Sequence, residues 1–130
     1  MPALSGRRRI LPHLPRLLLA TTLLALAPAL AEAHAILVQS EPSAGGTATA
    51  GKVAMEFRFN SRIDAARSRL MLTAPDHSQS VLPIAPEDGP PDILPANATL
   101  TPGAYVVRWQ VLAVDGHITR GDVPFTVTGK

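Results

Sequence analysis

Cysteine is absent from this chain of 130 residues, so no disulfide can brace it and no thiolate can hold a metal. Aromatic side chains are nearly as scarce. There is one Trp and one Tyr, and both fall at inward positions of a single alternating segment, Tyr105–Val111. Neither is left to build an exposed face for gripping a substrate. After residue 33 no window of ten or more residues holds an apolar stripe at helical spacing, which argues against a helical domain. No internal repeat and no second domain is visible. A long hydrophobic run occurs once, at Leu17–Leu30, and it is shorter than the roughly 20 residues a membrane helix needs.

That run sits inside a leader pattern. Arg7, Arg8, Arg9 and Arg16 make a cationic start, Leu17–Leu30 an apolar centre, and Ala31 and Ala33 place small side chains where a signal peptidase pocket requires them. Pro28 interrupts any helix near the end of the run. The pattern predicts a signal peptide over 1–33, removed on export, and a mature domain over 34–130 with no membrane span; a retained anchor is the alternative. Arg7, Arg8, Ile10 and Leu11 loosely match a twin-arginine signal, but any Arg-rich start can produce that match.

Losing the leader changes the electrostatics. It carries four of the 12 Lys+Arg and one of the 10 Asp+Glu, which leaves eight bases against nine acids and a net charge near −1. The +2 of the whole chain therefore belongs to the leader and gives no reason to expect nucleic-acid binding. The remaining 97 residues suffice for one small domain with a single core. With disulfides excluded, sheet packing must hold it.

The mature sequence reads as β throughout. Lys52–Phe59 alternates, with Val53, Met55, Phe57 and Phe59 on one face, the period-2 pattern of a half-buried strand. Tyr105–Val111 repeats it with Tyr105, Val107, Trp109 and Val111 inward. Shorter candidates are Ile36–Gln39, Ser68–Thr73, Ser80–Ile84, Ala98–Leu100 and Val123–Thr128, separated by turn residues such as Pro42 with Gly45 and Gly46, Pro75 with Asp76, and Pro102 with Gly103. The prediction is an all-β sandwich of about seven strands, immunoglobulin-like in architecture. Pro83–Pro95 carries five prolines, which confine any strand there to a sheet edge. A stiff surface loop crossing between sheets is the expected form, with a protein-binding polyproline stretch as the alternative.

The chemistry gathers at two places. Cleavage after Ala33 would make His34 the first residue, offering an α-amine and an imidazole that close a six-membered chelate ring on one ion. Asp115, Gly116 and His117 follow the Trp109 segment, and residues two apart in an extended chain project to the same side. Nitrogens from His34 and His117 with an oxygen from Asp115 form a set that favours tetragonal Cu(II). Each element also has an ordinary explanation. Asp-Gly is a strong hairpin-turn signal, a lone His117 at a strand edge can be a solvated surface residue, and any residue can follow a cleavage site. A turn and a ligand pair are compatible, and it is the joint pattern that points to a metal.

The run His34-Ala35-Ile36-Leu37-Val38-Gln39-Ser40-Glu41-Pro42-Ser43-Ala44-Gly45, with Val114-Asp115-Gly116-His117, Gly121, Phe125 and Val127, resembles the two ends of the CopC family of periplasmic copper-binding proteins. The likeness spans essentially the whole mature domain. It implies a Greek-key β-sandwich or barrel in the periplasm that binds Cu(II) through the amino-terminal His, an Asp and a second His, at positions matching His34, Asp115 and His117. Some family members also carry a Met-rich loop with a His for Cu(I). The matching stretch here, Leu70–Ser78, contains only Met71, which the strand pattern buries, and His77, which reads as a loop residue. Others carry a further His two positions after the first, where this chain has Ile36. A Cu(II)-only form with the simpler ligand set is expected.

The expected function is therefore periplasmic Cu(II) capture, buffering or delivery in copper homeostasis or resistance. The resemblance suggests an inner-membrane CopD-like transporter as partner, and a monomer is expected. No nucleophile–base pair or pair of catalytic carboxylates stands out in the mature sequence, so no catalytic residue is assigned and no enzyme is expected. Thr119 and Arg120 are candidates for orienting His117. The rivals are a copper oxygenase with an amino-terminal His brace and a metal-free adhesion or chaperone-like sandwich. Amino-terminal sequencing of the exported protein should begin His-Ala-Ile-Leu; any other start removes the terminal chelate.

Overall fold

Every second residue from Val53 to Phe59 is a large apolar one, and a strand sends alternate side chains to opposite faces, so one face of this segment must be covered. In the structure, a computed structural model that describes Pro2 and residues 34–85 and 89–129, Val53, Met55, Phe57 and Phe59 are buried while Lys52, Glu56 and Arg58 are exposed. The chain divides into a unit of Met1–Leu30 and a unit of Ala31–Lys130. Apart from Pro2, the expected signal peptide over 1–33 lies outside the described residues.

Eight strands form among those residues: β1 Leu37–Glu41, β2 Gly46–Thr49, β3 Gly51–Phe59, β4 Ile63–Thr73, β5 Gln79–Leu82, β6 Ile93–Leu100, β7 Gly103–Ala113 and β8 Ile118–Thr128. They make two sheets, ordered β1-β3-β6 and β2-β8-β7-β4-β5. All pairings are antiparallel except β2 with β8. The apolar side chains of β3 and β6 meet those of β4, β7 and β8 in one core, and Phe59 packs edge-on against Trp109 with ring centres 5.2 Å apart. This is the predicted all-β, immunoglobulin-like sandwich.

It differs from the sequence reading where pairing rather than pattern makes the strand. Gly46–Thr49 looks like loop in a stretch rich in Gly and Ser, yet its residues pair in parallel with Phe125–Thr128, which adds an eighth strand to the expected seven. β6 starts at Ile93, well before Ala98, because Ile93 and Pro95 pair with Arg58 and Glu56 of β3. As the prolines require, β6 is the outer strand of its sheet. The segment before it passes from β5 in one sheet to β6 in the other, the crossing loop that was expected; its residues 86–88 are not among those described. Met71 is half-buried, whereas its neighbours Leu70 and Leu72 are in the core. It faces outward, opposite Arg108 and Val81.

Gly121 pairs with Trp109 across β7 and β8, and a Cβ at this position would run into the indole. The bare glycine lets the large ring lie against β8 inside the core. On the outer face of the same strands Arg108 Nε and Nη2 donate to Asp122 Oδ1 and Oδ2 at 2.8 and 2.9 Å. Both partners are solvated, and exposed pairs of this kind contribute no more than about 1 kcal/mol. Burial should dominate stability. In urea unfolding, Phe57→Ala should destabilise by roughly 3–5 kcal/mol, and Arg108→Ala by less than about 1 kcal/mol.

Candidate metal centre

β7 and β8 pair without interruption from Gly103↔Val127 to Leu112↔Ile118, so the residues that join them stand at one end of the sandwich. The Gly116 N–H donates to Ala113 O and the Ala113 N–H to His117 O, both at 2.9 Å. Gly116 has φ +88, in the left-handed region that glycine enters without a Cβ penalty. This is a three-residue hairpin loop with glycine at its third position. The turn reading of Asp-Gly is thus borne out, and the turn is also what presents the polar side chains.

Asp115 folds back on His117. Its Oδ1 accepts the His117 backbone N–H at 3.0 Å, and its Oδ2 lies 3.0 Å from His117 Nδ1. A carboxylate can only accept, so Nδ1 carries the hydrogen. When the ring is neutral, its lone pair is left on Nε2. The His117 side chain is 60% exposed and that of Asp115 25%, so the imidazole is open to solvent while the carboxylate beneath it is more enclosed. The His117 N–H holds the Asp115 carboxyl below the usual carboxylate range. The hydrogen bond from the His117 ring adds to this, and the charges of His117 and His34 contribute less.

The amino-terminal arm arrives from the other sheet. Ala35 is buried in the core, and its carbonyl accepts a 2.7 Å hydrogen bond from Thr119 Oγ1 on β8. The Ile36 N–H donates to Asn60 Oδ1 at 2.8 Å, and the Asn60 N–H returns a bond to Ile36 O at 3.0 Å. The His34 ring lies edge-on against the His117 ring, with centroids 4.9 Å apart.

All three candidate residues therefore meet at one end of the fold, though not yet as a closed ligand set. Among the described residues, no group of three His, Asp or Glu side chains stands in a metal-holding arrangement. The physical reasons are local. Both Asp115 oxygens are turned toward His117, and while Ala33 precedes it, the His34 nitrogen is a peptide amide. Thr119 and Arg120 do not play the expected part. Thr119 bonds the arm, Arg120 Nε donates to Gln110 Oε1 at 2.8 Å, and it is Asp115 that orients His117. Asn60 carried no signal in the sequence beyond its place directly after the alternating β3 segment.

His77 lies at the opposite end, exposed in the β4–β5 turn with φ +67, where its N–H donates to Ala74 O at 2.9 Å. Between the ends β7 runs from Ala113, paired with Ile63, to Val106, paired with Thr73. At about 3.3 Å per residue that is roughly 23 Å, so His77 and His117 cannot share an ion.

The fold and this end define a small immunoglobulin-like sandwich that sets His34, from the segment ahead of β1, against the His of an Asp-Gly-His hairpin. Comparison with known proteins identifies the family. The model of the CopC domain matches residues 37–128, and the chain belongs to the CopC family. It is 34% identical over 98 residues to Protein YobA of Escherichia coli (strain K12), spanning 73% of this chain and 79% of that protein. Among solved structures it is similar to CopC from Methylosinus trichosporium OB3b, with a TM-score of 0.65 and 28% identity over 74% of this chain and 95% of that one. It also resembles PcoC, a methionine-rich copper resistance protein from Escherichia coli, with a TM-score of 0.59 and 26% identity over 74% of this chain and 100% of that one.

The depressed Asp115 value has a definite sign. A carboxyl whose folded pKa lies below its unfolded value of about 3.9 adds stability above that value and loses it as pH falls through the folded pKa. In the metal-free protein, an NMR titration should find the Asp115 midpoint below 3.9 by this reference. His117→Ala should raise it only part of the way, because the backbone N–H remains.

Proposed function

We propose that the mature protein binds Cu(II) in the periplasm through the α-amine and imidazole of His34, Nε2 of His117 and a carboxylate oxygen of Asp115. Copper binding in copper resistance is the function of the CopC family to which the chain belongs; the ligands, the oxidation state and the mature terminus are our reading. The observation that carries it is the meeting of the His34 and His117 rings, from opposite ends of the domain sequence, at 4.9 Å. Cleavage after Ala33 would turn an amide into an amine at this spot. Nitrogen ligands with one carboxylate suit Cu(II), and Asp115 keeps lone pairs beyond the two engaged with His117. It would neutralise part of the metal charge while fixing the tautomer that leaves Nε2 to the ion.

Soft ligands for Cu(I) are not at hand. The chain has three Met; Met1 falls in the expected leader, Met55 is in the core and Met71 is half-buried in mid-strand. A Cu(II)-only form follows. Tyr105 and Trp109 are both core residues, which removes the aromatic face an oxygenase would use on a polysaccharide, so we read the protein as a carrier without catalytic residues. It would act as a monomer that exchanges copper with a CopD-like inner-membrane transporter. Ile36, Val38, Val114 and Ile118 are exposed apolar residues within four positions of His34, Asp115 or His117. Exposed apolar side chains near the proposed ligands in the sequence suit docking of a recipient. Among the described residues no helix is long and apolar enough to cross a membrane.

Retaining one residue ahead of His34 should weaken Cu(II) binding sharply in a competition titration, and unchanged affinity would remove the amine from the site. Asp115→Ala and His117→Ala should each alter the Cu(II) paramagnetic-resonance spectrum. Because the nitrogens must shed protons to bind, affinity should fall steadily as the medium is acidified from about pH 7 to 5; a flat profile over that range would exclude nitrogen ligation. At a free Cu(II) concentration of about 100 Kd the folded state should gain about 2.7 kcal/mol, which a metal-free sandwich would not show.

A further inference from the structure

Chain termini fray unless something ties them down, and a terminal chelate on a frayed arm would have to order that arm each time it closed on a metal. The first residues of this domain are tied at three consecutive backbone groups. Ala35 O accepts from Thr119 Oγ1 at 2.7 Å, Ile36 N–H donates to Asn60 Oδ1 at 2.8 Å, and Ile36 O accepts from the Asn60 N–H at 3.0 Å. The Ala35 side chain is buried in the core.

The two side chains come from different sheets. Asn60 follows directly on β3 in the three-stranded sheet, and Thr119 lies in β8 of the five-stranded sheet, two residues after His117. Thr119 therefore fixes the arm to the very strand that carries the hairpin histidine. Asn60 grips the arm from both directions, with its side chain accepting and its backbone donating. Neither side chain is a candidate ligand, and no family motif picked out Asn60.

We infer that Asn60 and Thr119 are positioning residues that hold the mature amino terminus against the β7–β8 hairpin, so that His34 is ordered for Cu(II) before the metal arrives. The inference rests on the copper site proposed above. It implies a division of labour. His34 can bind Cu(II) through its own amine and ring wherever it points, whereas joining that chelate to His117 and Asp115 depends on the clamp. Without the clamp, binding should be weaker and spectroscopically mixed rather than absent.

The test uses the mature protein beginning at His34, with Asn60→Ala, Thr119→Val, Thr119→Ser and the Asn60→Ala/Thr119→Val pair. Hydrogen exchange of the Ile36 amide in the metal-free protein reads the clamp without copper. Asn60→Ala removes its acceptor and should speed exchange at least about tenfold, while core amides such as that of Val107 keep their rates. Cu(II) affinity should fall roughly tenfold in Asn60→Ala and in Thr119→Val, about 1.4 kcal/mol for each decade. The paramagnetic-resonance spectrum should divide into the wild-type species and a chelate lacking the hairpin ligands. Thr119→Ser keeps the hydroxyl donor and should restore both affinity and a single spectrum, which a general loss of stability would not do.

Wild-type exchange at Ile36 in Asn60→Ala, or a wild-type spectrum and affinity in the double variant, would overturn the clamp. If the double variant does not fold, the same readings on the single variants decide. Failure of the copper site itself looks different. Wild-type Cu(II) binding that ignores a residue added ahead of His34 overturns that site and the positioning role with it, whereas slow Ile36 exchange would still show the arm tied.

Discussion

The register of β7 against β8 is the constraint on which the rest of the molecule depends. From Gly103↔Val127 to Leu112↔Ile118 the two strands pair residue for residue, and strand side chains alternate between faces. A slip by one residue would send every side chain of β8 to the opposite face. Val123, Phe125 and Val127 would leave the core, Gly121 would no longer make room for Trp109, and Thr119 would turn away from Ala35. Core packing and the candidate metal centre are thus set by the same backbone ladder. The hairpin that ends it, with Gly116 in the left-handed region, has no freedom to move Asp115 and His117 elsewhere.

The second half of the centre depends on closing the sandwich. The arm before β1 belongs to the three-stranded sheet, and the hairpin to the five-stranded one. They can meet only because the layers pack, with Phe59 against Trp109 and Ala35 buried beside them in one core. Ordering a backbone residue costs about 1–2 kcal/mol. Folding has already met that cost for Ala35 and Ile36, so the proposed copper site would not have to. Asp115 applies the same economy to His117, since the carboxylate that carries charge also fixes which ring nitrogen bears the hydrogen.

Much of this was legible in the residues, for identifiable reasons. β3 and β7 followed from strict alternation, which reports a half-buried strand whatever covers it. The Asp-Gly turn followed from the need for a positive φ at Gly116, and His34 from the leader pattern ahead of it together with its likeness to one family. β2 was not legible, because Gly46–Thr49 has no apolar pattern and becomes a strand only by pairing with β8. Met71 was expected to be buried but faces outward between Arg108 and Val81, since alternation assigns Leu70 and Leu72 to the core. Thr119 was expected to orient His117 and instead holds Ala35. Spacing along β8 could place it near His117, but only the approach of another segment could say which group it would bind.

By itself the sequence determined the all-β class, the inward faces of the long strands, the hairpin and the chemical identities of His34, Asp115 and His117, because these follow from local periodicity, turn chemistry and residue type. Only the tertiary structure decided that the arm and the hairpin share one end of the sandwich, that His77 stands a strand's length away, and that Asn60 grips Ile36. The reason is physical: contacts between residues far apart in the chain depend on how two sheets stack and how their ladders are registered. No local pattern encodes the position of a partner that belongs to another layer.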